Sequence, residues 1–181
     1  MPLYVQRQDF TLVVNLHYNL NKIIMKTIEE RILILEDEMA IRNLAAKFAD
    51  AATTADYDAL RLLWKHDGVF TINEPANVTK TGVDNIVAHI TMLRDERDFF
   101  VQFVHSGVIN VDGNNATARW IIHEVGQGPA EKYYNNYGVF NDTMEKINNE
   151  WVFTGRVYDY MWLDFGKFEG KPINNLNVIK K

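Results

Sequence analysis

The sequence predicts an α+β domain in which helices come first and an antiparallel sheet follows. In the first half of the chain the apolar residues recur with a helical period of about 3.6. From Phe99 onward they alternate with a period of about 2, as in strands that bury one face. Short turns at 112–115 and 148–149 separate the later runs, which is typical of strands that neighbour each other in antiparallel order.

Three helices are predicted. Thr27 and Glu30 have the spacing of a capping box, so a long helix should begin there and end near Thr53. Asp56 should cap a second helix, and Gly82 should open a third. The expected buried residues of the first two helices are Ile28, Ile32, Leu35, Met39, Leu44, Phe48 and Ala52, followed by Leu60, Leu63 and Trp64.

Five strands are predicted, at 69–72, 100–111, 116–125, 133–147 and 151–161. His66 to Gly68 is interpreted as a turn before the first of them, and a loop is expected around Pro75. The Gly-rich segment 126–129 is interpreted as a break between the third and fourth strands.

Composition excludes several classes of protein. The 181 residues suffice for one domain, and a net charge of −5 without a run of Lys or Arg argues against nucleic-acid binding. The absence of cysteine excludes disulfides, thiolate metal sites and a cysteine nucleophile. It also fits a reducing compartment, so a cytoplasmic location is expected. No apolar run is long enough to span a membrane.

Met25 immediately precedes the predicted start of the first helix. We therefore expect residues 1–24 to be an N-terminal extension, 25–165 to form the domain and 166–181 to be a C-terminal tail.

Several short motifs occur in an order and spacing that cover roughly residues 27–165. They are Ile41-x-x-Leu44, Ala55-Asp56-Tyr57-Asp58-Ala59-Leu60, Asp67-Gly68, Val104-His105-Ser106-Gly107, Asp112-Gly113-x-x-Ala116-Thr117-Ala118 and Glu150-Trp151-Val152-Phe153. In this order the chain resembles the SnoaL-like branch of the NTF2-like superfamily, which includes polyketide cyclases, scytalone dehydratase and bile-acid dehydratases. The resemblance implies an NTF2-like cone, with a curved antiparallel sheet wrapped around the N-terminal helices and a pocket between them. It also implies a homodimer formed through the outer face of the sheet, or a higher homo-oligomer.

His105 and Glu124 are the candidate catalytic residues. Dehydratases of the group are similar in placing a histidine at the position of His105, and an imidazole in an apolar pocket can both accept and donate a proton. The alternative is a structural histidine. In the next strand, only one of His123 and Glu124 can face the pocket. Glu124 shares a face with the more apolar set of residues, so it is expected inside and His123 outside.

The candidate ligand-binding residues are mostly aromatic. By the register of the resemblance, Phe48 and Thr53 take the places where catalytic relatives carry a Tyr or an Asp. Aromatic side chains favour a flat or polycyclic ligand, although most of them could equally be core residues. No metal site is expected, since His105, His123 and Glu124 lack a helical H-x-x-x-H partner. No cofactor is expected, because acid–base catalysis in a dry pocket does not need one. The expected substrate-binding residues are Phe48, Thr53, Trp64, Trp120 and Tyr137.

Two functional hypotheses remain open at this level. The first is a cofactor-independent dehydratase, isomerase or cyclase that uses His105 and Glu124 for acid–base catalysis on an apolar carbonyl compound. The second is a non-catalytic ligand-binding or dimerising module of the same fold, or a partner subunit like the small subunit of a ring-hydroxylating dioxygenase. The lost phenol at Phe48 and the non-ionisable Thr53 favour the second.

Overall fold

The computed structural model describes residues 27–129, 132–167 and 169–170. These residues fall into two units with a boundary between Asp37 and Glu38, and each unit is considered separately. The predicted extension 1–24 lies outside the described residues, as does most of the predicted tail.

In the first unit, the predicted capping box of Thr27 and Glu30 is confirmed. The Thr27 amide donates to Glu30 Oε2 at 2.7 Å, and the Glu30 amide donates to Thr27 Oγ1 at 3.1 Å.

The three predicted helices are present as α1 (Ile28–Thr54), α2 (Tyr57–Leu62) and α3 (Val83–Asp95). Asp56 caps α2 as predicted, because its Oδ1 accepts from the Ala59 amide at 3.0 Å. Met39 was expected on the buried face of α1 but is exposed. Met39 lies five positions before Leu44, and at about 100° per residue this rotates it well away from the stripe that begins at Ile41. In the part of the chain that is described, no helix is long and apolar enough to cross a membrane.

The described residues form one six-stranded sheet in the order β2-β1-β6-β5-β4-β3. The α+β prediction and the antiparallel meander of β3 to β6 are confirmed. One pairing differs from the expectation, because β1 runs parallel to β6. The strands are β1 (Trp64–Ile72), β2 (Val78–Thr81), β3 (Phe99–Asp112), β4 (Asn115–Gly128), β5 (Lys132–Ile147) and β6 (Glu150–Asp164).

Three local predictions were wrong. Trp64 begins β1 instead of ending a helix, and the expected turn from His66 to Gly68 lies inside that strand, at an irregularity in its pairing with β6. The expected break after residue 125 is absent, since β4 continues to Gly128. The strand β2 was not predicted because its four residues, Val-Thr-Lys-Thr, include a single apolar side chain and are too short to show a period.

A bulge in β3 controls which of its side chains face inward. Val104 pairs with Ile122, but the next pair is Gly107 with Trp120, so two residues of β3 lie opposite one residue of β4. Gly107 packs against the Trp120 ring so closely that a Cβ atom there would lie 2.0 Å from a ring carbon. The inward positions are therefore even-numbered before the bulge and odd-numbered after it.

The centre of the core contains a buried ion pair surrounded by aromatic rings. Arg156 Nε and Nη2 each donate to an Asp142 carboxylate oxygen at 2.7 Å, and both side chains are fully buried. The guanidinium carbon lies 4.0–4.2 Å from the ring centroids of Phe48, Phe140 and Phe153. This arrangement joins α1, which carries Phe48, to strands β5 and β6.

Replacing Asp142 with Asn should lower the free energy of unfolding by about 3–5 kcal/mol, as measured by urea denaturation. Asn keeps the size of the side chain but leaves the buried Arg156 without a counter-charge. It also weakens the acceptor for Trp120 Nε1, which now donates to Asp142 Oδ2 at 2.9 Å. The control is Glu96→Gln, which breaks the exposed pair with Lys132 and should cost less than about 1 kcal/mol. Equal losses of unfolding free energy in Asp142→Asn and Glu96→Gln would contradict the assignment of Asp142 as the counter-charge of the buried Arg156.

Candidate functional site

A cavity of about 300 Å³ lies between the inner face of the sheet and the helices α1 and α3. Its volume suits a small organic molecule. Most of its wall is apolar, and the polar groups are few and concentrated. The apolar wall includes Phe48, Phe70, Ile90, Phe100, Phe140 and Leu163. The polar lining consists of Gln102, Glu124, Asn136, Arg94, Arg97 and three tyrosines, Tyr134, Tyr158 and Tyr160.

Glu124 is the acidic group of the cavity, and three neighbours hold its carboxylate. Gln102 on β3 and Asn136 on β5 lie directly opposite it in the sheet. Gln102 Nε2 donates to Glu124 Oε1, while Asn136 Nδ2 and the Tyr158 hydroxyl donate to Oε2 at 3.1 Å and 3.2 Å. The inward orientation expected for Glu124 from strand alternation is thus observed.

Burial raises the pKa of the Glu124 carboxyl above its ordinary value. The hydrogen bonds from Gln102, Asn136 and Tyr158 and the charge of Arg156 act in the opposite direction, but burial has the larger effect. Burial, reinforced by the negative charge of Glu124, also raises the pKa of the Tyr158 and Tyr134 phenols. These phenols therefore stay protonated and remain hydrogen-bond donors at neutral pH.

Two buried oxygens beside Glu124, Gln102 Oε1 and Asn136 Oδ1, have no hydrogen-bond partner within the described part of the chain. Rotating either amide by half a turn replaces a donor to Glu124 with an acceptor. Gln102 and Asn136 can therefore stabilise a carboxylate in one orientation and a neutral carboxylic acid in the other. Both protonation states of a group that exchanges a proton during a reaction can therefore be accommodated here.

The predicted position of His105 in the pocket is wrong. His105 is exposed and lies on the outer face of the sheet, where its ring stacks with those of Phe103 and His123 at centroid distances of 6.2 Å and 6.3 Å. The bulge explains the difference. With regular alternation His105 would share the inward face of Gly107 and Ile109, but the extra residue turns it outward. The predicted pair of His105 and Glu124 is therefore not formed.

Of the five predicted substrate-binding residues, only Phe48 lines this cavity. Thr53 lies beside it and supports β3, because its Oγ1 accepts from the Gln102 amide at 3.1 Å. Trp64 and Trp120 are buried core residues outside the cavity wall. Tyr137 lies on the outer face, stacked on His123 at 4.4 Å. The outward position predicted for His123 is observed.

Sequence reasoning missed most of the polar lining. Asn136 could have been found by extending the alternation of β5 from the turn at 148–149. Tyr158 could not, because an extra residue in β6 between its pairs with Met144 and Thr143 reverses the alternation of that strand. Gln102 could not, because without the bulge the hairpin register places Phe103 opposite Glu124. Arg94 and Arg97 give no signal in the sequence, since charged residues at the end of a helix are usually solvated.

Residues 34–157 match the family model of the SnoaL-like domain. The chain belongs to the SnoaL-like domain family. The resemblance identified from the sequence motifs is therefore confirmed. A comparison with the curated proteins gives no match.

Solved structures with the same fold extend this result. An NTF2-like protein with a cystatin-like fold from Novosphingobium aromaticivorans is 23% identical, with a TM-score of 0.64 over 76% of this chain and 92% of that one. A candidate scytalone dehydratase from the same organism is 17% identical, with a TM-score of 0.67 over 78% and 95%. A hexachlorocyclohexane dehydrochlorinase, LinA type 2, is 13% identical, with a TM-score of 0.70 over 77% and 96%. At these identities the likeness establishes the NTF2-like fold, as predicted, and not a reaction.

The raised pKa of Glu124 predicts how stability depends on pH. Below the ordinary pKa of a glutamate, about 4.3, both the folded and the unfolded chain carry the proton. Above it the unfolded chain ionises first, so the contribution of Glu124 to stability falls as pH rises through the folded-state pKa. Glu124→Gln removes this pH-dependent loss of stability, because a glutamine side chain does not ionise. The stability of the variant relative to the native protein should therefore increase with pH, by up to about 1.4 kcal/mol per pH unit.

The measurement is chemical denaturation of both proteins from pH 4 upward. Glu150→Gln, which makes the same change of net charge at an exposed position, is the control. A relative stability of Glu124→Gln that is flat or falls with pH would contradict the assigned direction.

Proposed function

We propose that this protein binds a small, largely apolar carbonyl compound in the cavity and catalyses a proton transfer on it, as a lyase or isomerase, with Glu124 as the proton-carrying group. One observation carries the proposal. A carboxyl group with a raised pKa faces an apolar cavity between amides that can accommodate both of its protonation states. A proton-transfer group works best when its pKa lies near the working pH, and burial moves Glu124 in that direction.

Tyr160 supplies a candidate for the second group that such chemistry needs. Its side chain lines the cavity and stacks against Tyr158 at 4.6 Å. Its hydroxyl has no hydrogen-bond partner among the residues that the structure describes. Burial and the charge of Glu124 raise the pKa of Tyr160, so the phenol stays protonated. A protonated phenol can donate to a substrate carbonyl and stabilise the negative charge that develops when a neighbouring C–H bond loses its proton.

Two of the proteins with this fold, the candidate scytalone dehydratase and the dehydrochlorinase, are named for elimination reactions. Dehydrochlorination and dehydration both require a proton to leave carbon as a leaving group departs. We assign the same step, removal of a proton from carbon, to Glu124. The names of these two proteins therefore support a lyase or isomerase over other reaction classes.

A non-catalytic ligand carrier is the second candidate. The positions of Phe48 and Thr53 provide no ionisable group, and His105 lies outside the cavity. In this alternative Glu124 would only fix the orientation of a ligand by hydrogen bonding. The two functions differ in whether a C–H bond of the ligand is broken.

Deuterium exchange into 1-tetralone in D2O, followed by NMR, tests the proposal. The native protein should accelerate exchange at the carbon next to the carbonyl, and Glu124→Gln should lower that rate by about 10²–10⁴-fold because the proton carrier is lost. His105→Gln, on the opposite face of the sheet, should leave the rate unchanged. If 1-tetralone quenches tryptophan fluorescence on binding but exchanges at the buffer rate, the carrier function is correct and the enzymatic one is wrong.

A further inference from the structure

One end of the cavity carries two arginines. Arg94 lies in the last turn of α3, and Arg97 follows in the connection to β3. Both side chains line the cavity. They are the cationic part of the lining, in a protein whose net charge is −5. Their position is therefore a local exception to the overall charge of the molecule.

Neither arginine has an acidic partner among the described residues. Arg94 Nη1 and Nη2 donate to neutral backbone carbonyls, those of Arg97 at 3.1 Å and Thr53 at 3.3 Å. The Nε atoms of both arginines are buried and have no hydrogen-bond partner in the segments that the structure describes. A guanidinium has five N–H donors, so both retain unused capacity. Buried donors that stay unpaired are costly, and a site that keeps two of them is suited to a ligand that supplies the acceptor.

Aromatic rings hold the two guanidinium groups in place. Arg97 lies 4.7 Å from the centroid of Tyr134, and Arg94 lies 5.7 Å from that of Phe100. Tyr134 itself packs against the backbone of Gly126, where a Cβ atom would lie 2.5 Å from its ring. The guanidinium groups are thus positioned by packing before any ligand binds, which reduces the entropy lost on binding.

We infer that Arg94 and Arg97 form a subsite for a carboxylate group of the ligand, so that the substrate class is an aromatic or alicyclic acid. The inference rests on the proposed function, in that the cavity is the ligand site. A carboxylate is the smallest organic anion that can accept two parallel N–H bonds from a guanidinium. Its size fits a cavity of about 300 Å³ that must also contain the apolar body of the ligand.

The sheet register places this subsite apart from Glu124. Phe100 pairs with Gly126, and Gln102 pairs with Glu124 two positions further along the same ladder. Two positions along a strand span roughly 7 Å. That separation is about the length of a fused ring system. A ring acid anchored at the arginines would therefore present its far end to Glu124.

Titration with 2-naphthoate and with its neutral isostere 2-naphthamide, followed by tryptophan fluorescence, tests the inference. The native protein should bind the naphthoate at least about tenfold more tightly, because only the anion can form charge-assisted hydrogen bonds. Arg97→Met should reduce this preference to within about threefold and leave the affinity for the amide unchanged. Arg97→Lys, which keeps the charge but not the fork of donors, should retain part of the preference.

Arg119→Met is the matched control, because Arg119 is exposed on the outer face of the sheet. The control should keep the full preference for naphthoate. Equal affinity of the native protein for acid and amide, binding of neither, or a preference that survives in Arg97→Met would each overturn the inference. Glu124→Gln separates this inference from the proposed function, since the variant should slow deuterium exchange by about 10²–10⁴-fold and still prefer the acid.

Discussion

The buried pair of Asp142 and Arg156 is the interaction on which the rest of the structure depends. It joins opposed positions of β5 and β6, and the guanidinium contacts rings from α1, β5 and β6. A buried ion pair contributes little net stability compared with apolar residues of similar size, but it strongly disfavours any arrangement that separates its charges. It therefore fixes the register of two strands and the position of α1 over them. Phe48 and Phe140, held by this contact, then form part of the cavity wall.

The bulge in β3 is the second constraint, and it determines the composition of the site. It places Gln102 opposite Glu124, where Phe103 would otherwise lie, and it turns His105 to the outer face. Without it, the cavity would contain an imidazole and an apolar neighbour for Glu124. With it, the cavity contains a carboxyl group between two amides. The close packing of Gly107 on Trp120 is the local feature that accommodates this shift, since a side chain at 107 would displace the ring.

The sequence could predict features that are encoded within a few residues. The caps at Thr27 and Asp56 and the turn at Asn148–Asn149, whose φ angles are 50° and 69°, follow from local chemistry. The inward orientation of Glu124 follows from regular alternation along one strand. The pairing of β1 with β6, the bulge and the ion pair depend on contacts between distant segments. Glu124 and, by the same alternation, Asn136 could thus be placed in the cavity, whereas Gln102, Tyr158 and the outward turn of His105 could not.

The two ends of the proposed ligand site are electrostatically coupled. A ligand carboxylate roughly 7 Å from Glu124 would, at an effective dielectric constant near 20, oppose ionisation of Glu124 by about 2 kcal/mol. That would raise further a pKa that burial has already raised. Arg94 and Arg97 offset this effect, because their positive charges lie next to the ligand anion. The arginines that would select an acidic ligand would therefore also limit the change in the pKa of Glu124 when that ligand binds.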